Sequence, residues 1–329
     1  MLMINVAVVF GGDSSEFVVS EQSAANVLGW VDAEKYRPYP VEIRHGRWRV
    51  LREGKPDAPI DRNDFSARID GARVRFDVAL IVIHGAPGEN GVLQSYFDLT
   101  GVPYSTCSAF TSMLTFNKAA CKAFLADAGV PMAKAILIRR GDAPNAGDVV
   151  KKLGLPIFVK PNSGGSSFGV TKVKSEAALH SAIDEAFKED GEVIAEEFID
   201  GVEVTCGMMT LSGVETVLPV TEVVSKNEFF DFGAKYKGQS EEITPARLSP
   251  ETTALVQRTT AQIYRRLGCS GIIRADYILR NNTPYFLEVN TVPGMTTASF
   301  IPQQVRAAGL NMAQVVSRVI EDALARKKG

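Results

Sequence analysis

Apolar and polar positions follow two rhythms along this chain, and the switches between them predict its elements. Ile4 to Phe10 is an apolar run interrupted only by Asn5, which predicts a strand buried on both faces. It runs into Gly11, Gly12, Asp13, Ser14, Ser15 and Glu16, and a helix is predicted through Ser20 to Leu28. Phe76 to Ile83 repeats the strand pattern, followed by a glycine-punctuated loop and a helix over Val92 to Leu99. Between them, residues 46 to 75 carry turns and short alternations that predict an added β excursion. A second block opens at Asn117, a helix-capping residue type, before KAACKAFLADAGV, where Ala120, Ala123, Phe124 and Ala128 keep helical spacing. Strands are predicted at Leu155 to Lys160, Val170 to Val173 and Val193 to Ile199. A helix capped by Ser175 and striped by Leu179, Ile183 and Phe187 precedes the last of these.

The third block begins with a hairpin, Glu203 to Leu211 and Val214 to Val220, around Ser212 and Gly213. SKNEFFDFGAKYKGQSEEITPA follows, polar and without a period, and long loops of this kind are commonly lids. A helix over Pro250 to Leu267 is closed by Gly268, and Met312 to Leu324 is amphipathic. These elements predict an α/β chain, α+β in part. An open parallel-sheet unit spans residues 1–105, a central unit 106–196 and a C-terminal unit 197–329.

Between Gly268 and the tail lies the stretch with the most chemistry. Ile272 to Leu279 and Tyr285 to Asn290 read as the arms of a second hairpin. A loop of Asn281, Asn282 and Thr283 sets Arg280 against Pro284, Asp276 against Glu288, and Arg274 against Asn290. Those four polar side chains then share one face, while Ile273, Ala275, Tyr277, Leu287 and Val289 turn toward a core. The plain alternative is a solvated hairpin face. The flanking apolar positions argue for partial burial, where two carboxylates and an amide oxygen need a cation, and magnesium or manganese is the natural occupant.

Composition narrows the picture. The chain has 329 residues, 45% hydrophobic and 22% charged, with a formal charge of -2, so it has ample core and no basic surface for nucleic acid or anionic membrane. No stretch approaches membrane-spanning length, and MLMINVAVVFGG reads as a first strand rather than a signal peptide. Cys107, Cys121, Cys206 and Cys269 show no CxxC spacing and lie near no histidine in sequence. They are expected to be reduced, buried and without a metal role.

Other candidate positions leave two readings open. Glu16 could cap the first helix or hold a ligand ammonium. His84, at a strand's carboxyl end with Glu89 nearby, could be structural or face a ligand. Lys118, in the first turn of a helix, is either solvated or placed for a phosphate. NSGGSSFG, between two strands and next to Lys160, is either a flexible hairpin or a loop that drapes N–H groups over phosphates. Neither a dinucleotide fingerprint nor a P-loop is present, which discounts a nicotinamide cofactor.

RADYILRNNTPYFLEVNTVPGM resembles the C-terminal metal-binding segment of ATP-grasp carboxylate–amine ligases, in particular the D-alanine:D-alanine ligase family. FGGDSSEFVVSEQSA is similar to that family's first-substrate loop, and IHGAPGENGVLQ to its second N-terminal motif. The resemblance spans nearly the whole chain, with at least five motifs in family order. It implies an ATP-grasp fold behind the N-terminal domain, with ATP and Mg2+ or Mn2+ as cofactors. It also implies ligation of two D-alanines through an acyl phosphate for peptidoglycan synthesis, in a cytoplasmic protein expected to be a homodimer.

Residue by residue, the resemblance implies that Lys118 and Lys160 contact nucleotide phosphates under a loop carrying Ser166 and Ser167. Glu196, Glu197, Phe198 and Ile199 take the adenine, Glu203 the ribose, and Lys235 reaches the γ-phosphate from the lid. Asp276, Glu288 and Asn290 hold the metal. Glu16, His84, Arg274, Gly294 and Ser299 serve the substrates, with Glu16 on the first ammonium, Arg274 on the oxyanion and Ser299 on the second carboxylate. Tyr236 joins Glu16 and Ser166 in a hydrogen-bonded network. The sequence departs from the family at Asn117, where an aspartate is common, and at Gly164 and Gly165, where many relatives carry bulkier charged residues. A D-lactate or D-serine acceptor is the nearest alternative. A non-catalytic ATP-binding regulator is disfavoured by the joint presence of Arg274, Asp276, Glu288 and Asn290.

Overall fold

Three sheets carry the chain, each grown from one of the apolar blocks. The computed structural model describes residues 3–14, 16–165, 168–225 and 240–326. In the first block β1 (Ile4–Gly11) leads through α1 (Phe17–Trp30) to β2 (Tyr36–Arg44), and β7 (Val78–Ile81) lies on β1's other edge. These three strands are parallel. The excursion, β3 (Arg47–Val50), β4 (Ala58–Asp61), β5 (Ser66–Ile69) and β6 (Ala72–Arg75), adds antiparallel strands beyond β2, so the sheet is parallel only at one end. The parallel part sets the carboxyl ends of β1 and β7 side by side, where the loops at Gly11–Glu16 and His84 begin.

Helices α2 (Val92–Thr100), α3 (Ala109–Phe116) and α4 (Lys118–Phe124) lead into the second block. Asn117 caps α4 as expected, its Oδ1 accepting from the Ala120 N–H at 2.9 Å. The buried face of α4 is not the expected one, however. Cys121, Lys122 and Leu125 are buried, while Phe124 is 36% exposed. A buried lysine shifts the phase by one residue from the alanine stripe.

The second sheet is antiparallel, in the order β10-β9-β11-β8, from β8 (Ala135–Arg139), β9 (Ile157–Pro161), β10 (Thr171–Val173) and β11 (Glu192–Glu197). It packs on α5 (Ala146–Leu153) and α6 (Leu179–Ala186), of which β8 and α5 are not anticipated by the apolar pattern. Ser175 makes no side-chain cap bond, because a 3₁₀ turn over Glu176–Ala178 intervenes before α6.

The third sheet runs β14-β13-β12-β15-β16. Its strands are β12 (Val202–Leu211), β13 (Val214–Ser225), β14 (Ser240–Ile243), β15 (Ile272–Arg280) and β16 (Thr283–Asn290). Helices α7 (Pro250–Arg266), α8 (Phe300–Ala307) and α9 (Met312–Arg326) cover it. The expected pairs Arg274 with Asn290 and Asp276 with Glu288 are present. The turn is tighter than expected: Arg280 pairs with Thr283, and Asn281 and Asn282 both take positive φ, 52° and 61°. The ladder slips between Asp276 and Tyr277, leaving Leu287 as an extra residue that restores the pairing at the polar end. On the turn side of this bulge the faces are exchanged, so Phe286, 1% exposed, fills the core position expected of Leu287.

One face of β1 and β7 does not close on its own domain. Val8, Leu80 and Val82 share a core with Ile301 and Val305 of α8 and Val315 and Val319 of α9. All four cysteines are free thiols, with Cys107, Cys121 and Cys206 buried. Cys107 and Cys269, far apart in sequence, are close enough for each thiol to influence the other's ionisation, a proximity that sequence spacing does not reveal.

Gly271, which opens β15, holds φ at 66°, and a Cβ there would lie 2.0 Å from the Ser105 carbonyl oxygen. Gly271→Ala is expected to destabilise the protein by about 2–4 kcal/mol through combined strain and overlap. Urea denaturation checks this, and an unchanged midpoint would refute the close approach.

Candidate active site

The polar face of the β15–β16 hairpin is held by charge pairing. Arg274 and Asp276, two residues apart on one face, form a bidentate pair, with Nε 2.8 Å from Oδ1 and Nη2 2.7 Å from Oδ2. Thr205 on β12 donates to the same Asp276 Oδ1 at 2.6 Å. Burial opposes the charge on Arg274, but Asp276, then Glu288 and Glu89, outweigh it and hold the guanidinium above its ordinary value. Across the hairpin, Glu288 Oε2 lies 3.3 Å from Lys118 Nζ, which donates to the Gly164 carbonyl at 2.8 Å. The Lys118 side chain is only 10% exposed, which rules against a solvated lysine.

Asn290 Oδ1, on the same face, is buried and accepts no hydrogen bond from the described residues. No group of three or more His, Cys, Asp or Glu among the described residues is placed to hold a metal ion. The hairpin set is instead two facing carboxylates and an unpartnered amide oxygen, which suits a hard, oxygen-seeking cation.

A buried charge cluster adjoins the hairpin. Lys160 on β9 and Glu196 on β11 lie on neighbouring strands, with Lys160 Nζ 2.6 Å from Glu196 Oε2. Lys122 of α4 pairs with the other oxygen, Glu196 Oε1. Burial alone would raise the Glu196 carboxyl, yet Lys160 and Lys122 hold it down to about 2. Burial lowers the Lys122 pKa. Burial also opposes the charge on Lys160, but Glu196 and Glu288 outweigh it and raise its pKa. Lys122 is the member that sequence reading missed, and its one available signal was its position one helical turn after Lys118.

At the end of β11, Glu197 Oε1 accepts from the Lys134 N–H at 2.8 Å. Phe198 packs against Phe158 at 5.9 Å under Lys172, and Ile199 is buried. Glu203 is partly buried on β12.

The N-terminal loops approach from the other side. His84 is buried, its Nδ1 2.8 Å from the Val292 carbonyl and its Nε2 3.4 Å from Ser23 Oγ. Burial lowers its pKa, against the pull of Glu16. Glu16 makes no side-chain cap bond to α1, which removes the capping reading. Its carboxylate reaches toward the glycine loop, so that a methyl group at Gly165 would lie 3.2 Å from Oε2. Ser299 Oγ accepts from the Thr296 N–H at 3.0 Å, and a Cβ at Gly294 would lie 2.8 Å from it.

The structure thus ties the hairpin to Lys118 and Gly164, and Glu196 to both Lys122 and Lys160. Glu16 and Arg274 are each close enough to influence the charge of both His84 and Glu89. Ser166, Ser167, Lys235 and Tyr236, together with most of the expected lid, lie outside the described residues. Lys118 at the glycine loop and Glu288, the adjoining Arg274–Asp276 pair, and Lys160 and Lys122 on Glu196 form a set that can accept a polyanion together with a cation.

Two family models match the chain, one described as D-ala D-ala ligase N-terminus over residues 5–107 and one as D-ala D-ala ligase C-terminus over 124–321. The D-alanine–D-alanine ligase of Parabacteroides distasonis is 53% identical over 325 residues, covering 98% of each chain. Among solved structures, the VanG D-Ala:D-Ser ligase from Enterococcus faecalis matches with a TM-score of 0.89 at 32% identity, covering 98% of this chain and 99% of that one. The D-alanine–D-alanine ligase from Bacillus anthracis complexed with ATP matches with a TM-score of 0.80 at 30% identity, covering 99% of each.

Glu89 generates a pH test. Burial first, then the Glu16 charge, push its carboxyl from 4.5 up to about 8, although the Gly85 N–H donates to it at 2.7 Å and Arg274 also pulls it down. Between those values the unfolded chain has lost a proton that the folded chain keeps, so this group's contribution to stability falls as pH rises from about 4.5 to 8. Glu89→Gln is expected to match wild type near pH 5 and to gain on it steadily toward pH 8. Urea midpoints across that range check it, and a constant difference would contradict the shift.

Proposed function

This chain belongs to the D-alanine–D-alanine ligase family, and we infer from that membership that it joins two D-alanines to D-alanyl-D-alanine with ATP, supplying peptidoglycan synthesis. A carboxylate is a poor electrophile. Transfer of the γ-phosphoryl group to the first D-alanine makes an acyl phosphate, which the second amine attacks as phosphate leaves. In this reading Lys118, Lys160 and Lys235 hold the phosphates, and Ser166 and Ser167 sit in the loop over them. Glu196 to Ile199 take the adenine and Glu203 the ribose.

Glu16 holds the first ammonium, with His84 and Gly294 lining that end. Arg274 stabilises the oxyanion, and Ser299 receives the second carboxylate. Tyr236 links Glu16 to Ser166. Asp276, Glu288 and Asn290 would hold magnesium or manganese, which when bound neutralises the charge spread over the transferred phosphoryl group. The acyl phosphate hydrolyses readily, so a lid over the site, carried by the segment with Lys235 and Tyr236, fits the chemistry.

The observation that carries this reading is the hairpin register, which sets Asp276 against Glu288 and Arg274 against Asn290 while Lys118 spans from Glu288 to the glycine loop. We assign residues 1–105 to the N-terminal substrate domain, with 106–196 and 197–329 as the two ATP-grasp subdomains and ATP between them. A homodimer is supported by exposed apolar side chains on consecutive helices, Val92 and Leu99 on α2 and Phe110 and Met113 on α3. Dependence on ATP accords with a cytoplasmic location, and no helix among the described residues is long and apolar enough to cross a membrane.

Phosphate release with ATP and magnesium, compared across D-alanine, L-alanine, D-lactate and D-serine, tests the activity and the acceptor. Turnover with D-alanine alone is expected, and turnover only when D-lactate or D-serine is added would reassign the acceptor. Asp276→Asn and Glu288→Gln are each expected to fold normally and lose at least about 100-fold in rate. A near-normal rate at low magnesium in either variant would remove the metal assignment.

A further inference from the structure

The expected roles account for Lys118 and Lys160 but leave Lys122 without one. Lys122 is 7% exposed, on the inward face of a short helix, where an ammonium is costly unless something nearby needs it. Its partner is Glu196 Oε1, while Glu196 Oε2 is bound to Lys160 at 2.6 Å. The Glu196 side chain, 4% exposed, therefore carries two cations, one on each oxygen.

We propose that Lys122 is a positioning residue for the phosphate-binding step, keeping Glu196 compensated so that Lys160 is free to turn to the nucleotide. The proposal rests on the reading that Lys160 contacts an ATP phosphate. With Lys160 as its only partner, Glu196 would be left as a buried, unpaired carboxylate whenever that lysine moved to a phosphate. A buried pair of this kind resists separation strongly. With Lys122 on the other oxygen, the carboxylate keeps a cation throughout. Lys122 is well placed to stay behind: it approaches the Ala133 carbonyl at 3.5 Å and points to Glu196 from the α4 side, whereas Lys160 also feels Glu288 on the hairpin.

Calorimetric titration with ATP and with adenosine separates this role from simple support of the fold. Lys122→Met is expected to weaken ATP binding at least about tenfold while changing adenosine binding by less than about twofold, because adenosine never draws Lys160 away from Glu196. In a Glu196→Gln background the same substitution is expected to leave ATP affinity nearly unchanged. Should Lys122→Met fail to fold, Lys122→Gln, which removes the charge but keeps a hydrogen-bond donor, is expected to show the same split. The double variant Lys122→Met/Glu196→Gln leaves no buried carboxylate unpaired, so its ATP affinity relative to its adenosine affinity, a ratio that cancels any effect of Glu196 on the adenine, must exceed that of either Lys122 variant alone. Equal losses for ATP and adenosine, wild-type ATP affinity in a folded Lys122 variant, or no gain in the double variant would overturn the proposal. Lys160→Met tests the underlying reading separately: if it weakens ATP and adenosine alike, Lys160 is not a phosphate ligand, whatever Lys122 does.

Discussion

A single extra residue, Leu287, governs the working face of the molecule. Side chains alternate along a strand, so a two-residue turn without compensation would leave Asp276 without Glu288 opposite it. The bulge at Leu287 shifts the pairing by one and brings the polar residues of both strands onto one face, while Phe286 and Tyr277 fill the core on the turn side. Bulges bend and re-aim strands, and here the re-aimed side chains are Glu288 and Asn290, set opposite Asp276 and Arg274. The approach of Lys118 to Glu288 depends on that register.

The second constraint is electrostatic. Carboxylates and cations are buried side by side around the glycine loop, and nearly every one has an opposite charge within reach. Arg274 covers Asp276, Lys118 approaches Glu288, and Glu196 is shared by two lysines. Such pairs stabilise a fold weakly, because desolvation offsets most of their attraction. Their value here lies in geometry, since each fixes a side chain that would otherwise be long and mobile. Glu89 is the contrasting case: its surroundings favour a neutral carboxyl beside the charged Glu16.

How much of this was legible in the sequence depended on whether a signal was local. The first strand, the capping Asn117 and the hairpin at Ser212 and Gly213 are set by nearest neighbours, and they form as read. The pairing of Asp276 with Glu288 was also legible, but through a compensation of errors. Asn281, Asn282 and Thr283 all suit a turn, so composition did not distinguish a three-residue loop from a two-residue loop followed by a bulge. Leu287 and Phe286 exchanged places as a result. Lys122 was hidden for a different reason: a lysine reads as a surface residue unless its counter-charge is known, and Glu196 comes from a strand far along the chain. The contact of Cys107 with Cys269 is likewise a product of the tertiary fold.

The core shared by β1, β7, α8 and α9 bears on how the chain is made. A ribosome releases β1 and its helix long before α9, and domains that close on themselves can fold as they emerge. This one closes only in part, because Ala24 and Val27 of α1 cover some of the face while Val8, Leu80 and Val82 also share their core with Ile301, Val305, Val315 and Val319. Until those residues emerge, the nascent sheet presents a wet apolar face, the kind of surface that chaperones capture and that crowded chains use to aggregate. The strand synthesised early and the helix synthesised late must therefore meet before either end of the enzyme is finished.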